Sequence, residues 1–418
     1  MATRVDTLEP VPLPEPPPER RLPPREWARE NLFGSWFDTL LTIVFGLLAA
    51  WLLYRLGRFA FVDARWEIIE RNLTNLMVSR FPRDELWRVW AALVVLAASL
   101  GFGVGTTAAA RRREVEEGRA AAAPERVSAL RRAGPALLLV AALLWFAQSF
   151  QATVLTVAVA AVGAGAYFLG RRVALRGTRG ALVVLAGIVL AFGFVMAFDG
   201  VGWEDWGGFM LTVFLAVGGI LLAFPFGVLL ALGRRSTFPA VRAVCVAYIE
   251  LFRGVPLIAV LFMGAFMIGF LLPQGVDRPS LVTRALIGLV LFTAAYVAEI
   301  VRGGLQGVPA GQVEAAQALG LSPVRITTRI VLPQALRNVI PGLVGQFISL
   351  FKDTSLVAII GLTELLGVSR NITAQPDFLA QGLIVETLLF AAFVYWTGAY
   401  WMSRESQRLE RRLGVGER

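Results

Sequence analysis

The sequence predicts an all-helical, polytopic membrane protein with about ten transmembrane helices, and three observations predict it. Of 418 residues, 56% are hydrophobic and only 17% charged, where an ordinary globular chain holds about 45–50% apolar and about 25% charged residues. The apolar residues gather into runs near the ~20 positions that cross ~30 Å of hydrocarbon as a helix. The arginines alternate between rich and poor loops, which fixes an orientation in the bilayer.

The elements follow in chain order. Residues 1–35 form a disordered cytoplasmic tail, because eight prolines between Pro10 and Pro24 interrupt a polar segment. That segment lacks an early apolar region and a small-residue cleavage site, so it does not read as a secretory signal. Ten apolar spans follow at residues 37–57, 86–107, 135–150, 152–170, 181–198, 208–232, 244–271, 281–301, 340–361 and 383–402. Between the first two, Trp66 to Arg88 reads as an amphipathic segment with aromatic anchors lying on the outer interface. The third and fourth spans are broken only by Gln148-Ser-Phe-Gln151, and charge decides their parity. Seven arginines precede them (Arg111 to Arg132) and four follow (Arg171 to Arg179), so both flanking loops prefer the cytoplasm and an even number of crossings separates them. With the N-terminus inside, the cytoplasmic segments from Arg20 onward collect 27 arginines and the outer ones 7, five of these in residues 58–85. Both termini are then cytoplasmic.

Missing residues exclude several chemistries. There is no histidine, hence no Ser-His or Cys-His pair and no imidazole ligand for zinc. The one cysteine, Cys245, lies in an apolar run and reads as inert. The one lysine, Lys352, lacks the glycines of a phosphate-binding loop before it, so any nucleotide binds another chain. The net charge of +10 comes from cytoplasmic loops rather than from a nucleic-acid-binding face.

The most informative motif lies between the eighth and ninth spans: Glu314-Ala-Ala-Gln-Ala-Leu-Gly320-Leu-Ser-Pro-Val-Arg-Ile-Thr-Thr-Arg-Ile330-Val-Leu332-Pro333. Glu314 to Leu319 reads as a short helix with a small-residue face, and Gly320 ends it. Ser322 reads as the cap of a second helix that starts at Pro323. That helix sets Val324, Ile326, Ile330 and Val331 on its apolar face, leaves Arg325 and Arg329 solvated, and stops at Pro333. By pattern alone, a small face of this kind either seats in a groove on another protein or belongs to an amphipathic re-entry helix on the lipid surface.

This segment matches E-A-A-x3-G-x9-I-x-L-P at every specified position and resembles the EAA loop of bacterial ABC importer permeases. Gly207 to Thr212, Tyr248 to Pro256, Ala295 to Gly304 and Phe347 to Ser355 are similar to the polar amino-acid uptake branch. Trp66 to Arg88 and Met402 to Glu410 resemble, more narrowly, the M-type membrane subunit of general L-amino-acid systems for glutamate, glutamine, aspartate and asparagine. The resemblance implies an accessory transmembrane region of about five helices over 36–200, a five-helix type I importer core over 201–403 with its coupling loop at 303–338, and a cytoplasmic tail at 404–418. It implies a bacterial inner-membrane permease that binds no cofactor itself, with ATP-Mg on a pair of partner ATPase subunits. Its other implied partners are a second permease subunit, expected to be a paralogue, an extracytoplasmic amino-acid-binding protein and the lipid bilayer. It assigns ATPase coupling to Glu314, Ala315, Ala316, Gly320, Ile330, Leu332 and Pro333.

Charges within spans cost about 2.5–3.5 kcal/mol each on insertion scales and need a reason. Glu250 and Arg253 stand three apart on one helix face, as do Glu299 and Arg302; the first set reads as a self-neutralising pair and the second as an interfacial pair at the cytoplasmic helix end, or Glu250, Arg253 and Glu299 line the substrate pathway. Lys352 and Asp353 are adjacent, so a helix points them about 100° apart. With Thr354 and Ser355 they either line the substrate pathway, offering a zwitterion both charges, or lock helices together. The competing class is a secondary amino-acid transporter driven by an ion gradient, which predicts inverted repeats; no convincing repeat relates the halves.

Overall fold

A computed structural model describes residues 23–118, 150–173, 175, 179–196, 201–268, 273, 275 and 277–413. The chain divides into two compact units at Ala64/Arg65.

In the first unit, helix α1 (Pro24–Leu32) lies within the stretch expected to lack regular structure. Pro24 supplies the fixed φ of a first helical position and Glu26 an acid in the first turn, which together start a helix where proline density argued against one. Ser35 caps α2 (Trp36–Arg58) by accepting the Asp38 N–H at 3.1 Å. A π-helical turn, Phe59–Asp63, extends this span, and none of its side chains is buried, as for a helix apolar on every side in lipid.

The second unit opens with α3 (Glu67–Val78), the segment expected on the outer interface. Its apolar face meets protein instead: Ile68, Ile69, Leu73 and Leu76 are buried in a cluster with Leu365, Val368, Ile372 and Phe390. Polar residues explain the preference, because Gln375 donates to Asn72 at 2.8 Å and the Arg65 N–H to Glu386 at 3.3 Å, partners that lipid does not offer.

Helices α4 (Leu86–Glu116), α5 (Phe150–Gly170) and α6 (Arg179–Met196) pack through small residues. Gly101, Gly105, Gly163 and Gly170 lie at the α4–α5 seam, so close that most added methyl groups there would strike the opposing backbone. Residues rising along α4 meet residues rising along α5, whereas Gly187 faces Ser99 and Gly180 faces Thr107. Thus α4 and α5 are parallel and α6 is antiparallel to them. The span expected at 135–150 lies, but for residue 150, outside the described residues.

The core is built on α7 (Gly208–Arg234) and α10 (Leu281–Gln306), whose small buried residues Ala223, Gly227, Ala231, Ala294 and Ala298 let the backbones approach. The single straight span expected at 244–271 is a bent pair, α8 (Pro239–Gly254) and α9 (Leu257–Phe262), the latter continued to Met267 by a π-helical turn. The bend is 106° and falls at Val255-Pro256, where proline donates no N–H and disfavours helix in the residue before it.

After α11 (Ala310–Ala318), α12 (Pro323–Ile326) runs through a π-helical turn, Thr327–Val331, into α13 (Leu332–Asp353). Pro333 was expected to stop this helix and does not. The Leu332 N–H reaches Thr327 O in the wider turn, so the proline falls where an α-helical bond is already displaced. A 3₁₀ segment, Thr354–Ile360, follows, then α14 (Leu365–Asn371) and α15 (Ile384–Leu413).

Among the described residues seven helices are long and apolar enough to cross a membrane, or eight where the bent pair is counted as one span. The α6 helix is apolar but shorter, so nine of the ten expected spans coincide with described helices. Opposite ends of the second unit are distinct. Arg235 donates to Leu305 O at 3.2 Å and Gln334 to Gln312 at 2.8 Å at the end that carries α11 and α12, here the loop end. At the far end the Gly208 N–H donates to Thr363 O at 2.8 Å and α3 is docked.

Candidate functional site

The loop end carries a two-helix hook. Three hydrogen bonds close α11: Leu319 N–H to Ala315 O at 3.1 Å, Gly320 N–H to Gln317 O at 2.9 Å and Leu321 N–H to Ala316 O at 3.2 Å. This paired closure requires a left-handed residue, and Gly320 sits at φ +72°. Ser322 is extended as expected for the residue before a helix, but its side chain makes no capping bond; Pro323 alone opens α12.

The coupling residues divide by exposure. Glu314, Ala315, Gly320 and Pro333 are exposed, Ile330 and Leu332 half-buried, and Ala316 is 2% exposed, packed with Ile326 and Val331 into the core. The hook is therefore anchored by one small residue and presents the next one outward. Val324, expected on the inward apolar face, is 71% exposed, and Leu319 is 80% exposed. These two large apolar side chains flank the turn, where the pattern sets only Val324 on an apolar face. The cue was Gly320 itself, which reverses the chain between them. Arg325 and Arg329 are exposed as expected.

Nearby charges form one network across α7, α8 and α10. Glu299 pairs with Arg302 as expected, and also with Arg234 at 3.4 Å and Arg253 at 3.7 Å. Glu250 pairs with Arg234 at 3.0 Å rather than with Arg253 on its own helix. The expected Glu250–Arg253 pair is replaced because Arg234, not singled out in the sequence, ends α7 between both carboxylates. Arg253 also lies 5.9 Å from the centre of the Tyr296 ring. Three guanidiniums thus surround two carboxylates.

Lys352, Asp353, Thr354 and Ser355 stand apart from this network. Gly342 lies against Ile300, so the ten further residues to Lys352 place it about 15 Å along α13. Lys352 is exposed and Asp353 half-buried. The Thr354 hydroxyl donates to Phe351 O and the Ser355 hydroxyl to Lys352 O, each at 2.7 Å, so both are turned onto the helix end. The structure brings Glu250, Arg253 and Glu299 together and leaves the Lys352 group toward the far end.

One further acid, overlooked in the sequence, is Glu364. Its side chain is fully buried and accepts the Leu366 and Gly367 N–H groups at 2.8 Å each, capping α14. The Tyr395 hydroxyl donates to it at 2.8 Å and the Thr212 hydroxyl at 3.4 Å. Burial pushes its carboxyl above the usual carboxylate range, against the opposing pull of those donors. Glu364-Leu365-Leu366-Gly367 carries only a cap signal, and nothing in it marks burial. Among the described residues no group of acids and cysteine is placed to hold a metal ion.

The second unit is thus a polytopic helical core that carries an anchored, outward-facing hook. A family described as binding-protein-dependent transport system inner membrane component matches residues 223–415. The chain is 36% identical over 405 residues to the inner membrane amino-acid ABC transporter permease protein YhdY of Escherichia coli, covering 93% of each chain. It is 33% identical over 442 residues to the glutamate/glutamine/aspartate/asparagine transport system permease protein BztC of Rhodobacter capsulatus, covering 96% of each. A solved structure described as an amino acid ABC transporter with histidines is 28% identical at a TM-score of 0.44, over 49% of this chain and 92% of that one. The chain belongs to the family of binding-protein-dependent ABC transport permeases. The gradient-driven alternative is left without support.

Proposed function

We propose that this chain is the permease subunit through which polar amino acids, with glutamate, glutamine, aspartate and asparagine as the narrow set, enter a bacterial cell across the inner membrane. The observation that carries the reading is the match to amino-acid permeases over 93% or more of the chain. In this reading the loop end and both termini face the cytoplasm. Glu314, Ala315 and Gly320 meet a partner ATPase that holds ATP-Mg; Ala316, Ile330, Leu332 and Pro333 tie that contact to α10 and α13. Nucleotide-driven closure of the ATPases moves the hook and, through α13, the core; the far end then receives the amino acid from an extracytoplasmic binding protein. A second permease subunit, a paralogue, completes the pathway, lined on this side by Lys352, Asp353, Thr354, Ser355, Glu250, Arg253 and Glu299. The exposure of Leu319 and Val324 supports a docking surface at the hook, since large apolar side chains at a loop tip gain from burial against a partner.

Co-purification tests it. The wild-type chain is expected to retain an ATPase subunit encoded beside it, and Glu314→Lys to lose it while still inserting in the membrane. Retention of the ATPase by Glu314→Lys together with unchanged uptake would contradict the assignment.

A further inference from the structure

The four arginines of residues 65–85 run against the charge pattern of every other far-end segment of the second unit, so each needs a reason. Three have one. Arg65 donates to Gln381 O at 3.1 Å, Arg71 pairs with Glu67 and Asp377, and Arg83 donates to Ser79 O at 3.3 Å. Arg80 makes no hydrogen bond or ion pair among the described residues and instead lines a cavity of about 280 Å³.

That cavity lies at the far end where α3 meets the core. Asn75 and Ser79 come from α3 and its cap; Thr363, Asn371 and Gln375 come from the segment around α14. The Gln375 amide nitrogen is used by Asn72, which leaves its carbonyl as an acceptor. The seam is held tightly: Gly208 adopts φ +58° against Leu76 and Met77, as glycine readily does. Ser79, a non-glycine residue, adopts φ +50°, a strain that persists only where the surroundings impose it.

We propose that this cavity is a subsite for a free acidic amino acid. The lining supplies one guanidinium, amide and hydroxyl groups that both donate and accept, and no carboxylate. Arg80 matches a carboxylate, the Gln375 and Asn carbonyls match an ammonium group, and a ligand of net charge −1 neutralises the site. The volume of this surface-open cavity is near the ~300 Å³ lower bound of small-molecule sites. Asn75, Ser79 and Arg80 lie outside residues 223–415, so the accessory region, and not the matched core, supplies the cation. The proposal rests on the amino-acid reading above and adds to it a holding site at the far end.

The test is direct binding of radiolabelled L-glutamate to the permease–ATPase complex in lipid nanodiscs without binding protein, with L-glutamine and L-lysine as competitors. The comparison is wild type against Arg80→Gln, Asn371→Ala and, as a charge control, Arg71→Gln. Loss of a charge-assisted contact is expected to weaken glutamate binding about tenfold or more in Arg80→Gln, with a smaller loss in Asn371→Ala and no more than about twofold in Arg71→Gln. Unlabelled glutamine and lysine should compete poorly. Equal binding by wild type and Arg80→Gln overturns the proposal, as does equal loss in Arg71→Gln. If Arg80→Gln alters only recruitment of the binding protein, the cation serves a protein carboxylate and the proposal also falls. Amino-acid stimulation of the ATPase through the binding protein is measured in parallel; its absence, and not the Arg80 result, would undo the functional reading beneath.

Discussion

Replacing Gly320 isolates the hook from the rest of the fold. At φ +72° an L-residue costs about 1–2 kcal/mol. No atom lies within 4 Å of an added Cβ there, so Gly320→Ala carries that conformational cost and no steric one. Gly320→Pro cannot reach this φ at all and removes the N–H that bonds Gln317 O at 2.9 Å, which raises the cost to about 3 kcal/mol or more. The Leu321 to Ala316 closure is then lost, and Leu319 and Val324 no longer flank one turn. Because Gly320 is exposed, membrane insertion and the thermal stability of the core should change little. Amino-acid-stimulated ATPase activity of the reconstituted complex should fall several-fold in Gly320→Ala and vanish in Gly320→Pro. Wild-type stimulation and uptake by Gly320→Pro would refute the claim that the turn couples the subunits.

Four other outcomes follow from the same geometry. Ala316→Leu overpacks a 2%-exposed site and should destabilise the hook by about 1–3 kcal/mol, whereas Ala315→Leu, facing outward, should leave stability unchanged and weaken only ATPase association; thermal melts and co-purification separate the two. Glu299→Gln removes the carboxylate shared by Arg234, Arg253 and Arg302 and should cost about 2 kcal/mol, between exposed and buried pairs, read by thermal unfolding in nanodiscs. Leu76→Ala, at a fully buried position, should cost about 2–5 kcal/mol locally and raise hydrogen exchange in α3 before the core. For Glu364 the folded carboxyl titrates above its ordinary value of 4.5, so the folded state holds the proton more tightly than the unfolded one. The stability this gives is full below about 4.5 and is lost as pH rises through the folded value. Glu364→Gln, always neutral, should therefore gain stability relative to wild type as pH rises from about 4.5; a difference that does not change with pH contradicts it.

Much of this architecture is legible in residues alone. Apolar length located α2, α4, α7, α10 and α15. Gly320 and Pro323 announced the hook because glycine and proline constrain the backbone directly. What escaped depended on partners distant in the chain. Nothing near Trp66 says that α3 finds Leu365 and Phe390 instead of lipid, and nothing near Glu250 says that Arg234 outcompetes Arg253. Pro333 misled because local propensity stops an α-helix there, while a π-helical turn set just before it absorbs the missing donor. Val324 misled for a related reason: its spacing suits an inward face, but its place at the tip of a reversed chain puts it outside. Glu364 was silent, since a cap signal does not tell an exposed acid from one enclosed by Thr212 and Tyr395.

The central claim is that this chain converts ATP hydrolysis on a partner into amino-acid entry. Its most direct test is the ATPase rate of the complex reconstituted with the neighbouring ATPase and binding protein, with and without each of the twenty amino acids. The account predicts stimulation by a subset led by glutamate, glutamine, aspartate and asparagine, and only when the binding protein is present. A rate indifferent to binding protein and amino acids alike would contradict it.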